Sequence, residues 1–318
     1  MDLRQLQALQ AIADHGSFST AAIALGTVQS NISTRIKGLE AELDATMVDR
    51  SNGHLTPIGE VVVRRARRIN AELNAMVDDV IALSSTVTGV VRVGMIGTTG
   101  RWLVPTLFAS LHDSHPEVHL HVLEGTNSTL ELQVASGQLD VAILNVPVQS
   151  SDIDTFPLFT EALVIVAPVD GKLAQAHRDS SAPNGYQPVA LAELATLELL
   201  LPLQGTTLRD QIDAFVKPAG IALSPAIELE GIRMLASLAF DGYGPAILPA
   251  SAIPIHLKSG FASIPLEGAP SRTVGVAIKR RGFPSAPTRV TVDALKELIS
   301  SSDALPHGIS PVTLTASL

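Results

Sequence analysis

Gln29, Ser30 and Ser33 fall within about one helical turn of one another. A glutamine amide can pair bidentately with adenine, and a serine hydroxyl can donate to or accept from a base edge. Arg35, Lys37, Arg50 and His54 lie close by in sequence and carry the charge for phosphate or minor-groove contact. Together these residues form a candidate surface for reading double-stranded DNA.

A second set of polar residues falls at Gly97-Thr98-Thr99-Gly100, Gly125-Thr126-Asn127-Ser128 and Gly205-Thr206-Thr207. Each reads as a junction where a strand ends and a helix begins. Unpaired N–H groups and the positive end of the helix dipole favour an anion there. In open α/β sheets that edge is also where ligands bind. Thr98, Thr99, Thr126, Asn127 and Thr206 would add hydroxyl and amide contacts. One such junction is ordinary turn and capping chemistry; the recurrence of the pattern speaks for a ligand cleft. Arg101, Arg209 and Arg233 are candidate countercharges, with solvated surface roles equally open.

Catalytic patterns are missing. Gly94-x-x-Gly97-x-x-Gly100 is not the dinucleotide fingerprint, and the chain has neither a Gly-Lys-Ser/Thr phosphate loop nor a Gly-x-Ser-x-Gly elbow. His112, His115, His119 and His121 straddle Pro116, a helix–strand break, so solvent-facing histidines are expected rather than a metal site. With no cysteine, disulfides, thiolate metal sites and cysteine nucleophiles are excluded together. No enzyme, cofactor or metal is expected.

The elements that must position these residues are legible. Leu3, Leu6, Leu9, Ile12 and Ala13 recur at helical spacing and should form a buried stripe that stops at Gly16. Ser17 or Ser19 can cap a second helix containing Ala21, Ala22 and Leu25. A third helix, from about Gln29 to Leu43, would bury Ile32, Ile36, Leu39 and Leu43, leaving its polar N-terminus outward. This is the helix-turn-helix arrangement, whose second helix lies in a major groove. Asn52-Gly53 predicts a hairpin turn for a small wing carrying Arg50 and His54. Thr56 then caps a long helix with Pro57 at its first position. In that helix Gly59, Val62, Ala66, Ile69, Leu73, Met76, Val80 and Leu83 recur at steps of three and four, which predicts a coiled-coil dimer seam. Ser84 to Gly89 reads as a hinge.

Downstream, strand-like and helical patterns alternate. Strands are expected at Val90–Met95, Val118–Leu123, Leu139–Leu144, Leu163–Ala167, Leu197–Leu201 and Ala246–Leu248. The alternation implies α/β lobes with mostly parallel sheets. Residues 174–190 read as a lengthened polar loop.

The chain has 318 residues, 46% hydrophobic and 17% charged, and a formal net charge of −9. This length suits two or three compact units. Residues 1–68 hold eight basic and seven acidic side chains, so the acidity lies mostly downstream and DNA binding is permitted. No apolar run reaches bilayer length, and the N-terminus lacks an apolar signal region, so a cytoplasmic location without membrane contact is expected.

The N-terminal residues resemble the LysR-type transcriptional regulators. The likeness rests on Leu3-Arg4-Gln5-Leu6, Gly16-Ser17-Phe18, Ala21-Ala22, Gln29-Ser30, Ile32-Ser33, Ile36, Leu39-Glu40, Glu42-Leu43, Arg50 and Leu55-Thr56-Pro57-Ile58-Gly59. Gly137-Gln138-Leu139-Asp140-Val141-Ala142-Ile143 resembles the family's effector-domain signature. Val28 replaces the usual capping Ser, Thr34 a frequent Arg or Gln, Asp44 a frequent Gly and Val48 a frequent Phe.

The resemblance implies an α+β multi-domain chain. A winged helix-turn-helix would occupy 1–58, and a linker helix and hinge 59–89. A two-lobed α/β effector domain like type 2 periplasmic binding proteins would occupy 90–302. Its lobe I would comprise about 90–162 and 268–302, and its lobe II about 163–267. Residues 303–318 are expected to form a flexible tail. The resemblance also implies a homodimer through the linker helix, assembly to a homotetramer, and promoter binding modulated by a small-molecule effector, expected to be anionic. It adds Ser128, Asn145 and Thr207 to the effector-binding set. The alternative is an α/β solute-binding or enzymatic protein without sequence-specific DNA binding.

Overall fold

A computed structural model describes residues 1–50, 53–82, 87–253, 260–280, 284–301, 305 and 308–312. Three short helices open the chain: α1 (Leu3–His15), α2 (Phe18–Ala24) and α3 (Gln29–Leu43). Asp2 and Gln5 form a reciprocal capping box at the start of α1, and Gly16 ends it at φ 77°, where glycine carries no Cβ penalty. Ser17 caps α2 by accepting the Thr20 N–H at 3.1 Å. Leu6, Leu9, Ile12, Ala21, Ala22, Ile32, Ile36 and Leu39 close into one buried core. Leu3 and Leu43, expected in that core, are 42% and 41% exposed because they sit at the outer ends of their helices.

Val28 stands at the N-cap of α3 without a side-chain bond, while Thr27 Oγ1 accepts instead from Asn31 Nδ2 at 3.0 Å. At the other end Asp44 adopts φ 48°, the left-handed conformation that a glycine takes without strain. Among the described residues the wing shows one antiparallel bridge, Val48 to Leu55, with the Asp49 N–H donating to the His54 carbonyl at 2.8 Å. Ser51 and Asn52 of the expected turn lie outside the described residues.

Thr56 caps α4 (Pro57–Ala82), accepting the Gly59 N–H at 3.0 Å. The expected seam is corrected in its first half. Gly59 and Ala66 are buried against the N-terminal core with Val63, and a Cβ on Gly59 would sit 2.1 Å from the Met47 carbonyl oxygen. Farther along the same row Ile69, Met76 and Val80 are 39%, 58% and 64% exposed. Leu83 and the hinge residues Ser84-Ser85-Thr86 lie outside the described residues.

The remaining chain contains β1 (Gly89–Met95), α5 (Gly97–Ser114), β2 (Val118–Glu124), α6 (Asn127–Ser136), β3 (Val141–Val146), β4 (Ile153–Pro168), α7 (Lys172–Ala176), β5 (Glu198–Pro202), α8 (Thr207–Val216), β6 (Ser224–Leu229), α9 (Ile232–Phe240), β7 (Ala246–Pro249), β8 (Phe261–Pro265), β9 (Ser271–Lys279), α10 (Ala286–Ser300) and β10 (Ile309–Pro311). Strand order is β2-β1-β3-β9-β4-β7-β5-β6, with β8 and β10 also paired to β4.

The sheets are mixed rather than mostly parallel. β1 pairs parallel with β2 and β3, as β5 does with β6 and β7, whereas β9 and β4 are antiparallel to all their partners. The physical reason is β4. Its 16 residues run through both lobes, pairing with β9 over Ile153–Ala162 and with β7 and β8 over Leu163–Pro168.

Separate buried clusters fill the lobes, one around Val93, Leu107, Ile143 and Val276, others around Ile165, Leu201, Ile212 and Leu248. Within the expected tail, Ile309–Pro311 adds an antiparallel strand to β4 and buries Ile309, while 303–304, 306–307 and 313–318 lie outside the described residues. Residues 174–190 carry local structure, with Arg178 bridged to Tyr186 and His177 Nε2 3.0 Å from Glu193. In the signature segment Gly137 ends α6 at φ 75°, and the Asp140 carboxylate accepts the Arg92 N–H at 2.8 Å. Burial raises the Asp140 pKa against the opposing pull of Arg92.

Candidate nucleic-acid interface and ligand cleft

The N-terminus of α3 faces outward because Ile32, Ile36 and Leu39 commit the opposite face to the core. Gln29 and Ser30 are exposed there, and Ser33 is half-buried one turn on. Gln29 Oε1 accepts from Ser19 Oγ at 3.1 Å, which orients its amide. Thr34 donates to the Ser30 carbonyl at 2.9 Å and so is committed to its own helix. Lys37, Arg50 and His54 are exposed, and Arg35 is half-buried. Arg50 Nη2 pairs with Glu40 at 3.0 Å, and Glu40 also accepts the Met47 N–H at 2.9 Å. One carboxylate thus joins α3 to the base of the wing. Ile23 and Val28, 79% and 59% exposed, are apolar members of this surface that a search for polar residues passes over.

A cavity of about 640 Å³ opens where the two lobes meet. Thr98, Thr126, Asn127, Asn145, Thr206 and Thr207 line it. Thr99 and Ser128 do not. Thr99 is fully buried, with its hydroxyl unpartnered, and Ser128 Oγ lies 3.2 Å from Thr126 Oγ1. The geometry explains why the junctions converge: α5, α6, α8 and α9 all begin on this cavity, through Gly97, Asn127, Thr207 and Ile232. Their unpaired N–H groups and dipole ends favour an anion, while Glu124 and Glu230 in the same lining set carboxylates against Arg233 and Arg272.

Asn127 fixes its wall to β3. Its Oδ1 accepts the Asn145 N–H at 2.7 Å, and its Nδ2 donates to the Asn145 carbonyl at 3.0 Å. Asn145 Oδ1 is buried without a partner.

Arg272, on β9, also lines the cavity. Its Nη2 donates to Thr98 Oγ1 at 3.1 Å, and its Nε to Glu161 Oε1 at 2.6 Å. Glu161 is fully buried and accepts the Ser251 N–H at 3.0 Å through its second oxygen. No local motif marks Arg272: it is one arginine in a β-strand, brought to the site by strand pairing alone.

Of the arginines expected as countercharges, only Arg233 lines this cavity, and Glu124 across the cleft pairs with it at 2.9 Å. Arg101 stacks over Phe240 at 5.8 Å. Arg209 is buried among Asp213, Glu228 and the Pro202 carbonyl. Burial lowers its pKa, but the hydrogen bonds to Glu228 and Asp213 outweigh that and leave it raised. Among the described residues no group of three His, Cys, Asp or Glu side chains is placed to hold a metal.

An exposed recognition helix with a wing, a long linker helix and a two-lobed cleft define a ligand-responsive DNA-binding regulator. Residues 3–60 match the family described as "Bacterial regulatory helix-turn-helix protein, lysR family", and residues 84–300 match "LysR substrate binding domain". A "Probable hydrogen peroxide-inducible genes activator" from Streptomyces viridosporus is 31% identical over 305 residues, covering 93% of each chain. The "DNA-binding transcriptional dual regulator OxyR" of Escherichia coli K12 is 28% identical over 303 residues, 94% of this chain and 95% of that one. Among solved structures, a full-length OxyR variant from Pseudomonas aeruginosa matches with TM-score 0.74 and 24% identity, over 98% of this chain and 99% of that one. Full-length CbnR complexed with its target DNA matches at TM-score 0.62 and 23% identity, over 93% and 99%.

The chain belongs to the LysR family of transcriptional regulators. It is a DNA-binding regulator with a small-molecule-binding domain, not an enzyme. No helix among the described residues is long and apolar enough to cross a membrane.

Proposed function

We propose that this regulator binds promoter DNA through Gln29, Ser30 and Ser33 as base readers, with Arg35, Lys37, Arg50 and His54 on the backbone or minor groove. A small anion in the inter-lobe cavity modulates that binding. Thr98, Thr126, Asn127, Asn145, Thr206 and Thr207 line the effector site, and Arg272 joins them. Thr99 supports it from the core, and Ser128, exposed, supports it through Thr126 Oγ1 at 3.2 Å. The observation that carries this reading is the convergence of four helix N-termini and Arg272 on one cavity.

The functional units are the DNA-binding domain at 1–58, the linker and hinge at 59–89, and the effector domain at 90–302. The two lobes divide at about 162–163 and 267–268. The protein works in the cytoplasm as a homodimer through the outer half of α4, and two dimers form a homotetramer.

The peroxide-inducible relatives raise a second effector, hydrogen peroxide, and one solved OxyR mutant, from Corynebacterium glutamicum, is described as "H2O2-bound". Thiolate oxidation by peroxide needs a cysteine, and this sequence has none. An effector held by hydrogen bonds and charge therefore fits this chain better. The test is thermal unfolding of the full-length protein with succinate, acetate, phosphate or hydrogen peroxide. Stabilisation by at least one anion that is lost on Asn127→Ala is expected. Equal behaviour of wild type and variant with every anion would refute the assignment.

A further inference from the structure

Helix α6 touches the ligand cavity at one end and the linker helix at the other. At its N-terminus, Thr126 and Asn127 line the cavity, and Asn127 grips the Asn145 backbone. Leu130 and Val134 anchor its middle in the lobe core at 0% exposure. At its C-terminus, Arg68 of α4 donates through Nη2 to the Ala135 carbonyl at 3.1 Å and to Asp152 Oδ2 at 3.0 Å. That carbonyl belongs to the last turn of α6, where the helix leaves acceptors without internal partners and the dipole is negative.

The neighbouring Arg67 reaches in two directions. It pairs with Asp14 at the end of α1. With the Gln138 amide turned to present its oxygen, the Arg67 guanidinium also donates to it at 3.0 and 3.1 Å. Arg67 therefore ties the turn after α6 to the helix packed against the recognition helix.

We propose that α6 is the link between effector cleft and DNA-binding domain, and that Arg67 and Arg68 are the positioning residues that read its far end. This rests on the cavity being the effector site. An anion drawn to the N-terminus of α6 acts on its first turn, and the helix, about 15 Å long, is stiffened by its own hydrogen-bond ladder. A small displacement of this stiff element, resisted by Leu130 and Val134 in the lobe core, is passed on to the Ala135 carbonyl. There a few tenths of an ångström take a 3.1 Å bond past effective range. The pair Arg67–Asp14 carries the change to α1 and so to the seating of α3. Coupling of this kind is reciprocal, so DNA at α3 must alter the N-terminus of α6.

The experiment uses that reciprocity and needs no effector. Amide hydrogen exchange over residues 128–136 is measured in the full-length dimer, free and saturated with a duplex spanning the promoter beside its own gene. In wild type, DNA should change protection there by about fivefold or more. In Arg68→Met and Arg67→Met, each saturated with the same duplex, that change should disappear. A change persisting in both variants, or none in wild type, overturns the link. Failure of the cleft assignment would instead appear as no anion-dependent stabilisation in the unfolding test, a result independent of this one.

Discussion

Arg272 and Glu161 face each other beside the cleft with Nε 2.6 Å from Oε1, and their side chains are 8% and 0% exposed. They sit on paired strands, at Cα partners Glu161 and Arg272 of β4 and β9. Removing one charge leaves the other buried and uncompensated, which costs about 3–5 kcal/mol. Arg272→Met should lose stability on that scale in urea unfolding. Glu161→Leu combined with Arg272→Met should recover much of it, because apolar packing replaces both charges. A double variant as unstable as the sum of the single ones would argue against the pairing.

Asp44 ends α3 in a left-handed conformation at φ 48°. A side chain there costs about 1 kcal/mol that glycine avoids. Asp44→Gly should therefore raise the unfolding free energy of the N-terminal domain by up to about 1 kcal/mol, offset in part by glycine's greater entropy in the unfolded chain. Urea titration followed by helical circular dichroism checks this, and a clear loss of stability would speak against strain at this position.

The exposed row Ile69, Met76 and Val80 gives the dimer prediction. Lysine at Ile69 and Met76 would place charges in the seam while leaving the buried Val63 and Ala66 untouched. The double variant should sediment as a monomer, retain its helical content and bind promoter DNA weakly. A dimer of unchanged strength would move the interface elsewhere.

Lys279 lies near Arg68, Arg65, Glu72 and Asp152 at the contact between α4 and the effector domain. Burial first, then Arg68, lowers its pKa below 10.5, against the opposing pull of Glu72 and Asp152. A lowered folded pKa means that its contribution to stability is present above 10.5 and is lost as pH falls through the folded value. Lys279→Met should then be more stable than wild type at neutral pH, and that advantage should shrink as pH rises towards 10.5. An advantage that grows with pH would reverse the sign and refute the assignment.

Much of this fold was legible where the signal is local. Gly16, Ser17 and Thr56 are caps whose chemistry acts within a few residues, and the helices they bound begin and end as their spacing indicates. The Gly/Thr junctions were legible for the same reason, since each opens its own helix. Long-range pairing was not. β4 reads as a short apolar strand at Leu163–Ala167, yet it continues back to Ile153 because β9 pairs with that half. Arg272 carries no neighbouring motif; the β4–β9 register brings it to Glu161, and the start of α5 brings Thr98 to it. The α4 row looked uniform along its length, but Met47 packed on Gly59 takes its first half into the domain core. Thr99 was indistinguishable from Thr98 by type, and the direction of α5 sends one to the cavity and the other to the core.

Everything downstream depends on polar atoms at the start of α3 reading base edges. The deciding comparison sets wild type beside Gln29→Ala, each titrated with the promoter duplex and with a random duplex of equal length at fixed salt. The expected loss is about 1–3 kcal/mol on the promoter, with little change on random DNA. Equal losses on both duplexes would show that this helix end reads no bases.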